Sequence, residues 1–317
     1  MRVGLLNNLR AGRSDAQVSR VLALLRRYPD VLHVETDSAR LLPEALAEFA
    51  RAEVDLLILN GGDGTLQYAL TELLTNPEFA GLRRVAPLRG GRTNMTALDL
   101  GTGRDPVEAL AGLLEAARTD RLHERIVRRP VLRVRSSLRP DAQYGMFFGG
   151  GLIQRAIQFT HRVFENRNHG VWGVGLVTGT LLTRLFSRPT EGMLTPDKAE
   201  IQVDGRELPG GEFYLTFAST LTRLFLRLDP FWGTGPGEVR FTGIGSRVQG
   251  MARNTPGILR GRPGPGVTAE RGYHSANADH VQLRMGCGYT IDGEIFEPLP
   301  DEVVTVESDR RIQLLRA

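Results

Sequence analysis

The stretch Leu56-Leu57-Ile58-Leu59-Asn60-Gly61-Gly62-Asp63-Gly64-Thr65 decides the fold. An apolar run stops abruptly in Gly-Gly-Asp-Gly-Thr, and a helical pattern follows over Leu66–Leu74. So short an apolar run, bounded by glycines, reads as a parallel strand buried on both faces. Gly61, Gly62 and Gly64 let the backbone adopt positive φ and approach a ligand closely. Thr65 then lies near the N-terminus of the next helix, where free N–H groups and the helix dipole favour an anion. Asp63 is the odd member. A carboxylate beside bound phosphates repels them unless a cation bridges the two, which implies Mg²⁺. The bland alternative is a tight strand-to-helix turn with Asp63 as its cap. The full string after a buried strand favours nucleotide phosphate binding.

On either side of this stretch the first 120 residues alternate between strand and helix patterns. Residues 2–6 form a strand ending at Asn7-Asn8, with a loop Leu9–Arg13 behind it. Ser14 and Gln17 make a capping-box pattern for a helix reaching about Tyr28. Val31–Glu35 is a strand closed by Thr36, and a helix follows over Leu41–Ala52. Arg84–Leu88 is a further strand, ending in the polar loop Arg89-Gly90-Gly91-Arg92-Thr93-Asn94. Asp105-Pro106-Val107-Glu108 opens a helix to about Arg118, with cap, first-turn proline and first-turn acid in place. The alternation predicts an α/β domain with a parallel sheet. Ligands of such sheets bind at the carboxyl ends of the strands, so topology predicts that Asn7–Arg13, Gly61–Thr65 and Arg89–Asn94 converge.

From about Arg125 short strands separated by turns predict an antiparallel β-sandwich: Val131–Val134, Tyr144–Phe148, Ala199–Val203, Phe213–Ala218, Val239–Gly243, Val281–Met285 and Tyr289–Ile291. A helical interruption falls between about Ile153 and Phe186, and Asn254–Gly272 reads as a loop. Residues 1–124 are thus read as one domain and 125–301 as a second, with a tail over about 302–317.

Composition narrows the function. The chain of 317 residues has a net charge of +4, which suits an anionic partner. Its basic residues are almost all arginine, with Lys198 the single lysine. There is no Gly-x-x-x-x-Gly-Lys loop and no protein-kinase lysine strand. The single cysteine, Cys287, excludes an internal disulfide and a cysteine-rich zinc site. The six histidines show no metal-ligand spacing, and nucleic-acid signatures are absent. The start shows no signal-peptide pattern, and Gly170–Phe186 is short for a membrane span. A cytoplasmic location is therefore expected.

The second acidic motif, Asp292-Gly293-Glu294, follows the strand Tyr289–Ile291. Asp-Gly is the commonest hairpin turn signal, and a hairpin is its plain reading. Beside a phosphate-binding loop it gains a second one, because phosphoryl transfer needs a carboxylate to orient the attacking hydroxyl and take its proton.

Gly61–Thr65, the loop Gly90–Ala97 and the late Asp292-Gly293-Glu294, in that order, resemble the diacylglycerol kinase catalytic family, which includes bacterial lipid kinases, sphingosine kinases and ceramide kinases. The resemblance covers nearly the whole chain. It implies an ATP-binding α/β domain, a β-sandwich lipid domain and an active site in the cleft between them, with the tail returning to the first domain. It implies ATP and Mg²⁺ as cofactors. Asn8, Thr36, Gly61, Gly62, Asp63, Gly64, Thr65, Thr93 and Asn94 would hold the nucleotide, and Asp63 would bridge to the phosphates through the metal. Glu294 would accept the proton, supported by Asp292. Gly170–Leu182 would border the lipid pocket. The expected partners are a lipid substrate, an anionic membrane surface contacted peripherally, and a second copy of the chain in a homodimer; nucleic acid is not among them.

The match has departures. Asn7-Asn8-Leu9-Arg10-Ala11-Gly12 stands where the family has Asn-Pro-x-Ser-Gly, and Arg92 where a threonine is common. In place of an Asp-Gly pair that helps to build a structural Mg²⁺ site, the chain has Leu228-Asp229-Pro230, which leaves Asp229 as the candidate ligand. The competing readings are a non-catalytic ATP- or lipid-binding regulator and a kinase of nicotinamide dinucleotides.

Overall fold

The computed structural model of the protein describes residues 1–9, 15–38, 41–164 and 195–317. The candidate capping residue Ser14, the loop residues 10–13 and the candidate lipid segment Gly170–Leu182 lie outside the described residues. The described chain forms two compact units. The first is Met1–Arg129 with Arg311–Ala317, and the second is Pro130–Arg310.

The first unit is built on parallel strands. β1 (Val3–Asn8), β2 (Leu32–Thr36), β3 (Leu56–Asn60) and β4 (Arg84–Pro87) alternate with helices α1 (Asp15–Leu25), α2 (Leu42–Arg51) and α3 (Asp63–Thr75). β1 lies between β2 and β3, and β3 pairs with β4. Every residue of β3 is buried, as a strand covered on both faces requires. A six-residue helix, α4 (Met95–Leu100), follows the second glycine loop, and α5 (Pro106–Arg118) comes after it. The Asp105 carboxylate accepts the Val107 amide proton at 2.8 Å, as the cap pattern predicts. Leu5, Ile58, Ala86, Leu110 and Leu113 form the centre of this unit's core.

The second unit is antiparallel. β5 (Ile126–Ser136), β6 (Gln143–Gly145), β7 (Phe147–Gly151), α6 (Leu152–Phe164), β8 (Asp197–Val203), β9 (Arg206–Glu207), β10 (Glu212–Ser219), β11 (Val239–Gly245), α7 (Met251–Ile258), β12 (Tyr273–Ala278), β13 (His280–Met285), β14 (Tyr289–Ile291) and β15 (Glu294–Phe296) follow in order. β8 pairs with β10 at Asp197–Lys198 and with β13 at Ala199–Met285, so the strands fold over one core that includes Leu132, Phe148, Ile201, Phe241 and Val281. Alternating burial along β8 and β13 puts one face of each on that core. Among the described residues no helix is long and apolar enough to cross a membrane.

Asn254–Gly272 is not wholly a loop. Its first part belongs to α7, despite Pro256 within the helix. Met251 and Ile258 pack with Ile244, Tyr273 and Trp232 in a small core of their own, and this packing outweighs the local breakers.

The last strand, β16 (Val303–Leu315), serves both units. Residues 303–307 pair antiparallel with β13, and Gln313 and Leu314 pair in parallel with Arg84 and Val85 of β4. Ile312, Leu314 and Leu315 are buried, and the Arg316 guanidinium donates to the Leu100 carbonyl at 2.7 Å. Each such side chain contributes about 1.5–3 kcal/mol, against a total stability of roughly 5–15 kcal/mol for a domain. Deleting residues 311–317 should therefore unfold the first unit, so that limited proteolysis with mass spectrometry finds cleavage throughout residues 2–122. Protection equal to that of the full chain would contradict this role of the strand.

Candidate active site

β1, β2, β3 and β4 run parallel, so their carboxyl ends share one edge of the first unit. The loops at this edge touch. The Gly90 amide donates to the Gly61 carbonyl at 3.1 Å, and the Leu9 amide to the Thr36 carbonyl at 2.8 Å. The Asn8 side-chain amide donates to the Thr65 hydroxyl at 2.8 Å. Beneath them, the buried Asn60 side chain donates to the buried Asn7 side chain at 3.0 Å.

The glycines act here by being small. None of Gly61, Gly62, Gly64, Gly90 and Gly91 has a positive φ, contrary to the expectation from sequence. A Cβ on Gly91 would stand 2.4 Å from the Gly62 Cα, and one on Gly61 2.5 Å from the Thr65 hydroxyl. The left-handed position belongs to Asn94 (φ 50°, ψ 45°), a residue type that tolerates it. The Asn94 side chain accepts the Gly91 amide proton and donates to the Gly91 carbonyl, both at 2.7 Å, which closes the loop on itself.

α3 starts at Asp63, three residues earlier than the apolar pattern suggests, and no side chain caps it. The amides that open a helix have no acceptor within it, and those of α3 lie at the carboxyl edge, where an anion is favoured. Cations flank the same edge. Arg92 is exposed, and Arg89 sits close enough to Arg104 to feel its charge. Burial first, and Arg104 second, hold the Arg89 guanidinium below its usual pKa. Arg89 and Arg104 are candidate phosphate contacts that sequence reasoning passed over. The scarcity of lysine was the available signal.

Asp63 does not sit as expected. Its side chain is buried, and its Oδ2 accepts from the Thr93 hydroxyl at 2.7 Å and the Met95 amide at 3.0 Å, while Oδ1 accepts from the Thr96 amide at 3.3 Å. The Asn94 amide adds a fourth donor. Burial pushes the Asp63 carboxyl above its ordinary pKa, and these four donors oppose the rise. The group therefore caps α4 across the gap between the two loops. About four lone-pair sites are all a carboxylate offers, so inner-sphere Mg²⁺ binding would have to displace these donors. The residues do not fit a metal held by Asp63. The Thr93 hydroxyl proton goes to Asp63.

In the second unit, Asp292 (φ 48°) and Gly293 (φ 95°) form the hairpin turn between β14 and β15. Both Asp292 oxygens are engaged: they accept the Met146 and Phe147 amides at 2.8 and 3.0 Å in a buried setting. Asp292 thus holds the turn to β7. Glu294 differs. It is half-buried, makes no hydrogen bond or ion pair among the described residues, and burial raises its pKa. Asp229, the candidate second metal ligand, is paired with Arg240 at 2.6 Å and Arg223 at 3.5 Å. Among the described residues no three His, Cys, Asp or Glu side chains cluster to hold a metal.

Residues 2–122, which lie within the first unit, match the family model of the diacylglycerol kinase catalytic domain. No curated protein matches the chain. A structure from Bacillus anthracis str. Sterne described as a diacylglycerol kinase aligns over 100% of this chain and 97% of its own, at 18% identity and a TM-score of 0.69. A second such structure from the same organism aligns with the same coverage, at 15% identity and a TM-score of 0.63. At these identities the likeness is one of fold.

Because Asp63 joins the loops, its loss should disturb nucleotide binding whether or not a metal is present. Asp63→Asn turns a side-chain donor toward backbone donors and should lower stability by about 2 kcal/mol. Calorimetric nucleotide titration should show weakened binding both with Mg²⁺ and with EDTA. A deficit confined to the Mg²⁺ titration would instead make Asp63 a metal ligand.

Proposed function

We propose that the protein is a lipid kinase that transfers the γ-phosphoryl group of ATP, presented as its magnesium complex, to a hydroxyl of a diacylglycerol-like or sphingoid lipid. The observation that carries this reading is the joined edge of Gly61–Thr65 and Gly90–Asn94 within a stretch that matches the diacylglycerol kinase family model. The first-turn amides of α3 and the guanidinium groups of Arg89, Arg92 and Arg104 are the groups that would neutralise the phosphates in a chain with a single lysine. Asn8 and Thr36, at the same edge, would contact the nucleotide.

Glu294 is the proton acceptor in this reading. Its side chain has no partner among the described residues, which leaves its oxygens available to a substrate hydroxyl, and its raised pKa makes it a stronger base than an exposed glutamate. As the lipid oxygen bonds to the γ-phosphorus, its proton passes to Glu294, the bond from the γ-phosphorus to the bridging oxygen breaks, and ADP leaves. Asp292 positions this glutamate by fixing the turn.

Glu294→Gln should keep nucleotide affinity and lower kcat by about 10²–10⁴. In the wild type only the ionised form serves. kcat should therefore fall as pH drops through a pKa above the ordinary glutamate value of about 4.3, and this limb should vanish in Glu294→Gln. Single-turnover phosphorylation and nucleotide titration on the same folded variant test this. An unchanged single-turnover rate removes Glu294 from the chemistry.

A further inference from the structure

We propose that the second unit docks on anionic lipid surfaces through the loop 224–228, with Leu226 as its inserted tip and the arginines around it as its headgroup contacts. The proposal rests on the lipid-kinase reading only in that such an enzyme must meet its acceptor at a bilayer.

Leu226 is 60% exposed, more than any other large hydrophobic residue among the described ones. It and Arg227 both have positive φ, 57° and 61°. A branched and a long side chain in the left-handed region cost stability, so folding alone does not account for leucine at this position. The loop is nonetheless well defined. The Leu224 amide donates to the Leu228 carbonyl at 2.8 Å, and the Arg227 amide to the Leu224 carbonyl at 3.0 Å. The base is braced by Asp229, whose amide donates to the Leu259 carbonyl at 2.9 Å and whose carboxylate pairs with Arg240.

That brace sets the tip beside a basic segment. Residues 247–271 hold Arg247, Arg253, Arg260, Arg262 and Arg271 against a single acid, Glu270. All five arginines are exposed, and none makes an ion pair among the described residues. α7 in this segment is anchored inward by Met251 and Ile258. Gly261, between Arg260 and Arg262, lies against Asp229. A rigid apolar tip standing in a field of guanidinium groups is complementary to a bilayer with anionic headgroups: the leucine enters the acyl boundary and the arginines stay at phosphate level.

The test uses the full chain, sedimented with phosphatidylcholine vesicles with and without phosphatidylglycerol. Binding is expected only with the anionic lipid, and high salt should release it. Asn tolerates the left-handed region, so Leu226→Asn should fold with equal or higher Tm yet bind about tenfold or more weakly. Arg260→Glu with Arg262→Glu should weaken binding further, each arginine accounting for about fivefold. Equal binding by wild type and Leu226→Asn overturns the proposal. So does binding indifferent to anionic lipid, or self-association that Leu226→Asn abolishes. Phosphorylation of a short-chain diacylglycerol in neutral detergent micelles, measured on the same variants, should be unchanged. Loss of vesicle binding with this activity intact separates the docking surface from the kinase reading itself.

Discussion

A buried carboxylate needs donors around it. Asp63 finds them in the Thr93 hydroxyl and the amides at the start of α4. The loop after β4 must therefore fold against the loop after β3. Gly91 is the sequence's answer to that constraint, since the Gly62 backbone approaches too closely for a side chain there. The joined loops hold the start of α3 beside the second glycine loop.

The second unit repeats the device. In Asp292-Gly293-Glu294 the aspartate accepts the backbone amides of Met146 and Phe147, and the glutamate side chain has no partner among the described residues. In both motifs the more conspicuous acid builds the site. The groups available for chemistry are its neighbours: helix amides in one case and Glu294 in the other. This division follows from burial, because each lone pair engaged by a buried amide is one fewer for a substrate.

Much of the fold was legible. The apolar run of β3 ends at Asn60, β14 covers Tyr289–Ile291, and α5 begins behind its aspartate cap, all where local pattern put them. These elements carry their own signals of period, cap and turn. α4 did not, because its six residues are too few for periodicity and its cap comes from Asp63, 32 residues before Met95. β12 escaped because Tyr-His-Ser-Ala-Asn-Ala shows no apolar alternation; it is a strand through its pairing with β11. At the site, sequence identified the residues that meet but not their direction. Asp63 and Asp229 were read as metal ligands, and three-dimensional pairing with amides and arginines gives both another role.

The central claim is phosphoryl transfer from nucleotide to lipid, and the most direct measurement is to incubate the pure protein with ATP labelled in its γ-phosphate and a panel of diacylglycerols, sphingoid bases and nicotinamide dinucleotides, then separate the products. The account expects label in the lipid extract, dependent on an acceptor with a free hydroxyl. Label in the dinucleotide, or bound ATP with no transfer to any acceptor, would contradict it.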